Sequence, residues 1–374
     1  MDAEPPENTV GPGSGELLLE LRTGDRRGGP IYLAGNFNGW KVADPAYRLE
    51  RLAPGKFCYR FPDRGKLPPV LEYKYVRKNW DGEELDLHGN TVSNRCVDRD
   101  VVQINDFVPR WKRQGLTYKP ELLPDIRVMK ADLPMPKAIK TRRVAALLPH
   151  DYELSDRRYP VLYLQDGQNL YDEHAPFGNW GLDKKLAVMA ERGFGDLIIV
   201  AIDHAENDRI REFTPSAKTR LGRGDGKRYV RFLAEHLKPH VDKHFRTLPD
   251  RDYTGIGGSS MGGLISIYAG LMYPELFSKL MIFSPSLWVA PDIHAGAKPT
   301  DVPMDTRIYI YGGGAESATM IPNIQRFMTA LEQHIDSENL HFNLSIDPHG
   351  HHNEHRWGEE FPQAAEWLFF HNLQ

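Results

Sequence analysis

The sequence predicts two architectures in tandem, a small all-β sandwich followed by a larger α/β domain built on a mostly parallel sheet. Three observations predict this. Residues 16–108 consist of short apolar runs broken by Gly, Pro, Asn and Asp, whereas the later residues alternate apolar runs with amphipathic helical stretches. Most apolar runs of the later part are continuous, as strands covered on both faces require. The length of 374 residues exceeds one ordinary domain, and 40% hydrophobic with 26% charged residues is enough to fill two cores.

The elements follow in order. Residues 1–15, acidic and rich in Pro and Gly, lack the basic start and apolar run of a secretory signal and are expected to be a disordered leader, which favours a cytoplasmic location. Strands are expected at Leu17 to Leu21, Ile31 to Ala34, Phe57 to Phe61, Leu71 to Val76 and Val101 to Ile104. Residues 109–124 read as a linker. In the domain at 125–374, strands are expected at Arg142 to Leu148, Val161 to Gln165, Leu197 to Asp203, Tyr253 to Gly257, Leu280 to Ser284, Arg307 to Tyr311 and Phe342 to Asp347. Helices fall between them. One carries Ile324, Phe327, Met328 and Leu331 on a single stripe, and another follows Ser260 with Leu264, Ile267, Tyr268 and Leu271.

Composition narrows the function classes. A net charge of -4 supplies no basic field for nucleic acid or an anionic membrane surface. No apolar stretch approaches the roughly 20 residues of a membrane helix. The two cysteines, Cys58 and Cys96, suggest a reducing compartment and leave a single disulfide open. A homodimer is also left open.

Chemistry centres on Gly257-Gly258-Ser259-Ser260-Met261-Gly262-Gly263. A Gly-x-Ser-x-Gly pattern needs small residues because the turn from strand to helix is tight and holds the serine in a strained conformation. Here a strand enters and an amphipathic helix leaves. That context identifies Ser260 as the nucleophile of an α/β-hydrolase, where acid and histidine follow the serine in sequence. Beyond the last strand stand His349, His351, His352 and His355, any of which would serve as base. The turn after Arg307 to Tyr311 offers Glu316 as the acid, with a solvated glutamate at a helix N-terminus as the plain alternative. His351-x-x-Glu354-His355 also matches a zinc motif, but a third ligand has no evident source, so no metal or other cofactor is expected. The oxyanion would be held by the N–H of Met261 and by one from Asp166-Gly167-Gln168-Asn169, for which Gln168 is the choice.

Several pieces now resemble one family. Leu162 to Asn169, Trp180, Asp208 to Pro215, Gly258 to Gly263, Ser284-Pro285-Ser286-Leu287-Trp288, Gly314-x-Glu316 and His352-Asn353-Glu354 with Trp357 together resemble the esterases that include enterochelin, feruloyl and S-formylglutathione hydrolases. The resemblance spans about Asp125 to Phe370 and is nearest to the enterochelin-esterase branch. It implies a carboxylic-ester hydrolase working through an acyl-enzyme. It picks His352 as the base, since the family's histidine immediately precedes Asn-Glu, and it favours Glu316 as the acid, although relatives with only a Ser–His pair leave that role open. It implies substrate contacts from Asp166, Arg209, Trp180 and Trp288; for Arg209 the alternative is a structural pair with Glu212.

The first domain has its own likeness. Tyr32 to Trp40, Glu72 to Asp81 and Gly89 to Arg95 resemble the immunoglobulin-like sandwich of starch- and glycogen-binding modules. In such modules exposed tryptophans stack on sugars. Trp40 and Trp80 are the candidates, against the reading that Trp40 is core and the sandwich is a scaffold or lid. Substrates thus range from small-molecule esters such as ferric siderophore lactones to glycan-linked feruloyl or acetyl esters. A non-catalytic carbohydrate-binding protein is the alternative from another class.

Overall fold

The computed structural model describes residues 15–26, 28–129, 142–296, 305–333 and 339–370. The expected leader, residues 1–15, lies outside them apart from Gly15. The chain divides between Tyr118 and Lys119 into two compact units.

The first unit contains β1 (Leu17–Thr23), β2 (Tyr32–Gly35), β3 (Glu50–Ala53), β4 (Lys56–Phe61), β5 (Val70–Arg77), β6 (Asn79–Leu85), β7 (Arg95–Asp98), β8 (Gln103–Val108) and β9 (Arg110–Trp111). One sheet runs β3-β4-β1-β8; the other runs β2-β5-β6-β9, with β7 on β5. Leu19, Leu33, Leu71, Tyr73 and Phe57 contribute to the core between them. The segment expected as a linker begins inside this unit: β9 pairs with β6, and buried Trp111 donates its Nε1–H to Thr23 Oγ1 at 2.8 Å. Both cysteines are free, Cys58 buried and Cys96 exposed, so the disulfide left open above does not form.

The second unit is an α/β sandwich. Its strands are β10 (Asp125–Val128), β11 (Val144–Leu148), β12 (Val161–Gln165), β13 (Ile198–Ile202), β14 (Thr254–Ser259), β15 (Lys279–Phe283), β16 (Thr306–Gly313) and β17 (Leu340–Asp347). They form one sheet in the order β10-β11-β13-β12-β14-β15-β16-β17. β10 and β11 are antiparallel to their neighbours, and all pairs from β13 to β17 are parallel. Continuous apolar strands alternate between two cores, as a side-chain period of two requires. Tyr163, Val200, Ile256 and Ile282 pack in one core with the helix α6 (Met261–Met272). Leu164, Ile199, Met281 and Phe283 pack in the other with α2 (Leu182–Glu191) and α8 (Glu354–Ala365).

No described helix is long and apolar enough to cross a membrane.

Candidate active site

The strand order determines where chemistry can sit. From β12 the chain passes to β13 on one side, then returns to β14 on the other. Such a reversal opens a crevice beyond the carboxyl ends of the strands. The expected catalytic and oxyanion-hole residues follow the carboxyl ends of β12, β14, β16 and β17.

Ser260 stands between the end of β14 and the start of α6 with φ 57° and ψ −120°. A non-glycine residue held there costs on the order of 1–3 kcal/mol. Its surroundings explain the glycines. A Cβ on Gly262 would lie 3.0 Å from both Asp166 Oδ2 and Gln165 Cβ, and one on Gly258 would lie 3.0 Å from the carbonyl carbon of Gly262. The turn is pinned to the loop after β15: Ser260 N–H donates to Phe283 O at 2.9 Å, and Ser286 N–H donates to Ser260 O at 3.0 Å. The Ser260 hydroxyl lies 3.3 Å from that of Ser286.

The acid and histidine loops meet through glycine. Gly314 N–H donates to Asp347 O and Ala315 N–H to Gly350 O, joining the segments after β16 and β17. A Cβ on Gly313 would lie 2.3 Å from Gly350 O, and one on Gly350 would lie 2.1 Å from Tyr311 Oη. Within this junction His352 Nδ1 lies 2.6 Å from Glu316 Oε2, leaving Nε2 as the free ring nitrogen. The Glu316 side chain is 2% exposed and that of His352 40%, so a buried carboxylate orients an accessible imidazole. Glu316 Oε1 accepts from Gly313 N–H at 2.7 Å and from Ser284 Oγ at 2.6 Å. The other histidines part company with this pair. Asn353 caps α8 by accepting from Arg356 N–H, so His351 precedes the helix while His355, in its first turn, lies 3.4 Å from Glu359. The zinc motif therefore does not place both histidines on one helix face. Among the described residues no group of three His, Cys, Asp or Glu is arranged to hold a metal ion.

Met261 is the first residue of α6 and Gln168 the first of α1 (Gln168–Tyr171). First-turn N–H groups have no acceptor within their own helix, which makes them donors to an anion. Gln168 is fixed from its other end, since its Oε1 accepts from His204 N–H at 2.9 Å. A cleft of about 880 Å³ opens beside it, lined by residues including Arg143, Asn169, Phe177, His204 and Asn207. Burial lowers the His204 imidazole below its ordinary value.

Three expectations need correction. Asp166 is buried and gives both carboxylate oxygens to Arg209, at 2.6 and 2.8 Å, so it braces the crevice rather than lining a pocket. Arg209 does not pair with Glu212, which Arg142 holds at 2.6 Å. Burial opposes the Arg209 charge, but the hydrogen bonds it donates to Asp166 outweigh that and raise its pKa. Trp180 is a core residue at 3% exposure, stacked on Phe283 with ring centroids 5.3 Å apart, because Gly358 lets the backbones of α8 and residue 180 approach closely. Trp288, by contrast, is 47% exposed. Burial raises the Glu354 carboxyl above the usual range, and the charge of Asp166 adds to the effect.

Ser284, which donates to Glu316, and Ser286, which meets the Ser260 hydroxyl, stand in the sequence only as motif pieces, with no role assigned to them there. The signal for both was the Ser-Pro-Ser run directly after an apolar strand, at the same end of the sheet as Ser260. In the first unit Trp40 and Trp80 lie with ring centroids 6.4 Å apart; Trp40 is half-buried and Trp80 39% exposed. Both rings are therefore partly solvent-accessible, and Trp40 is not enclosed in the core.

A family model described as "Putative esterase" matches residues 138–368. The uncharacterised protein YbbA of Bacillus subtilis is 26% identical over 260 residues, 65% of this chain and 98% of YbbA. The ferri-bacillibactin esterase BesA of the same organism is 29% identical over 156 residues, 36% of this chain and 50% of BesA. Among solved structures, the enterobactin esterase FES of Shigella flexneri aligns with a TM-score of 0.52 at 15% identity, covering 96% of this chain and 94% of that one. At that identity the likeness is one of fold.

Proposed function

This chain belongs to the esterase family and is a carboxylic-ester hydrolase, and we propose that it works through an acyl-enzyme on Ser260. The reading is supported by a serine at φ 57° beyond the carboxyl end of β14 and by a His352–Glu316 pair 2.6 Å apart beyond the carboxyl ends of β16 and β17, at the same end of the parallel strands. Glu316 holds the His352 Nδ1 proton, so Nε2 takes the Ser260 proton as the hydroxyl attacks the ester carbonyl. The N–H groups of Met261 and Gln168 stabilise the oxyanion of the tetrahedral intermediate. His352 returns the proton to the departing alcohol, and water then deacylates the enzyme by the same steps.

The resting serine faces Ser286, at 3.3 Å. Rotation about one side-chain bond to meet His352 on substrate entry is in keeping with apo sites, whose catalytic hydrogen bonds tighten in the substrate complex. Trp288 and the cleft beside Gln168 are the substrate-facing surfaces of this reading, and a siderophore-type ester is the leading substrate. The test is hydrolysis of p-nitrophenyl butyrate. Ser260→Ala with an unchanged melting temperature should reduce the rate to background; retained turnover would overturn the reading.

The Trp40–Trp80 pair favours a second reading for substrate choice, in which the first unit holds a glycan and the ester is glycan-linked. Retardation on a starch or glycogen affinity gel, abolished in Trp80→Ala, is its expected outcome. Equal mobility of the two proteins would dismiss it.

A further inference from the structure

We propose that Ser284 and Trp357 are positioning residues that set the direction of the hydrogen bonds on Glu316, an inference that rests on the triad reading above. Ser284 is fully buried at the end of β15, with φ 44° and its N–H tied to Tyr311 O at 2.8 Å. A buried serine in the left-handed region is held there against its preference. Its hydroxyl sits between two groups, donating to Glu316 Oε1 at 2.6 Å and accepting from Trp357 Nε1 at 2.9 Å.

The direction of this relay follows from proton counting. An indole N–H can only donate, and a hydroxyl has one proton. Trp357 therefore occupies the acceptor side of Ser284 Oγ, and the serine's single proton must go to the carboxylate. With Gly313 N–H also on Oε1, that oxygen carries two donors and Oε2 is left to His352. The same indole meets the His352 ring edge to face, with centroids 4.8 Å apart. One tryptophan thus fixes the imidazole by packing and the carboxylate through Ser284. Trp357 is 3% exposed, so its hydrogen bond to Ser284 is made away from bulk solvent.

A group that acts only through Glu316 should lose its effect once Glu316 is gone, and a double-mutant cycle reads that directly. Ser284→Ala should lower kcat about 10- to 100-fold with KM within about twofold, the loss expected when a catalytic group shifts by about 1 Å. In a Glu316→Ala background the same substitution should change kcat by less than about twofold. Ser284→Gly, which relieves the positive φ while removing the hydroxyl, should match Ser284→Ala in kcat. Trp357→Phe, which keeps the ring but not the N–H, should lower kcat in the same background-dependent way. It carries the test if Ser284→Ala does not fold.

Wild-type kcat in Ser284→Ala or in Trp357→Phe would overturn the proposal, as would an undiminished loss in the Glu316→Ala background. The triad reading fails separately, if Glu316→Ala or Ser260→Ala alone retains wild-type kcat.

Discussion

Replacing Glu316 by Gln alters one atom of the site and leaves its volume unchanged. The buried side chain accepts from Gly313 N–H and Ser284 Oγ–H on Oε1 and from His352 on Oε2. A glutamine must keep its carbonyl oxygen on the first pair, because its NH₂ there would face two donors. The NH₂ then points at His352 Nδ1, which has to become an acceptor. The ring's proton moves to Nε2, the nitrogen that should receive the Ser260 proton. Enforcing the wrong tautomer in a serine hydrolase costs about ten-thousand-fold in kcat, equivalent to about 5 kcal/mol of transition-state stabilisation. KM should change little, since the Glu316 side chain is only 2% exposed and offers a substrate almost no surface. Steady-state hydrolysis of p-nitrophenyl butyrate by Glu316→Gln, with its melting curve recorded alongside, measures both quantities. A kcat within tenfold of wild type in a folded protein would refute the reasoning.

Other consequences separate core from pocket and buried charge from solvated charge. Trp180→Ala should destabilise the second unit by about 3–5 kcal/mol through loss of a buried aromatic, whereas Trp288→Ala should leave the denaturation midpoint within experimental scatter and raise KM; reversed phenotypes would restore Trp180 to the pocket. Lys279 is buried at the start of β15, where burial, with Arg307 nearby, lowers its amine to about 8. Its folded pKa lies below the unfolded value, so the penalty is complete below about pH 8 and is relieved as pH rises towards the unfolded value. Lys279→Met should therefore stabilise the protein at pH 7, by up to about 3 kcal/mol if the whole shift is burial. It should also abolish the rise in wild-type stability above pH 8, and urea titrations showing the same pH slope in both proteins would contradict this.

Much of the second unit was legible because its physics is local. Runs such as Val161 to Gln165 and Ile198 to Ile202 are apolar on both faces, and the turn around Ser260 needs its glycines for space. Glu316 and the histidine run were singled out by their order after the serine and by the family resemblance, while the close approach of the two backbones at Gly313 and Gly350 became visible only in the structure. Elements whose stability comes from distant partners were not legible. β6 reads as polar, yet Glu83 and Glu84 are buried within it, satisfied by Lys74, Lys112 and Arg95 from other strands or loops. β10 was missed because Asp125, Ile126 and Val128 lie exposed on the sheet's outer strand. Glu212, on the same helix, was the alternative partner for Arg209, but the carboxylate it meets lies 43 positions away in the chain, at Asp166. A tryptophan in a shared motif looks the same whether it lines a pocket or fills a core, and Trp180 fills a core.

The central claim is that Ser260 becomes covalently acylated. A fluorophosphonate mimics the tetrahedral intermediate and remains on the serine that attacks it. After treatment and digestion, mass mapping should find one adduct, on the peptide containing Ser260, formed at a stoichiometry near one and absent from Ser260→Ala and His352→Ala. An adduct on Ser286 or another residue, or undiminished hydrolysis by the fully labelled protein, would contradict the account.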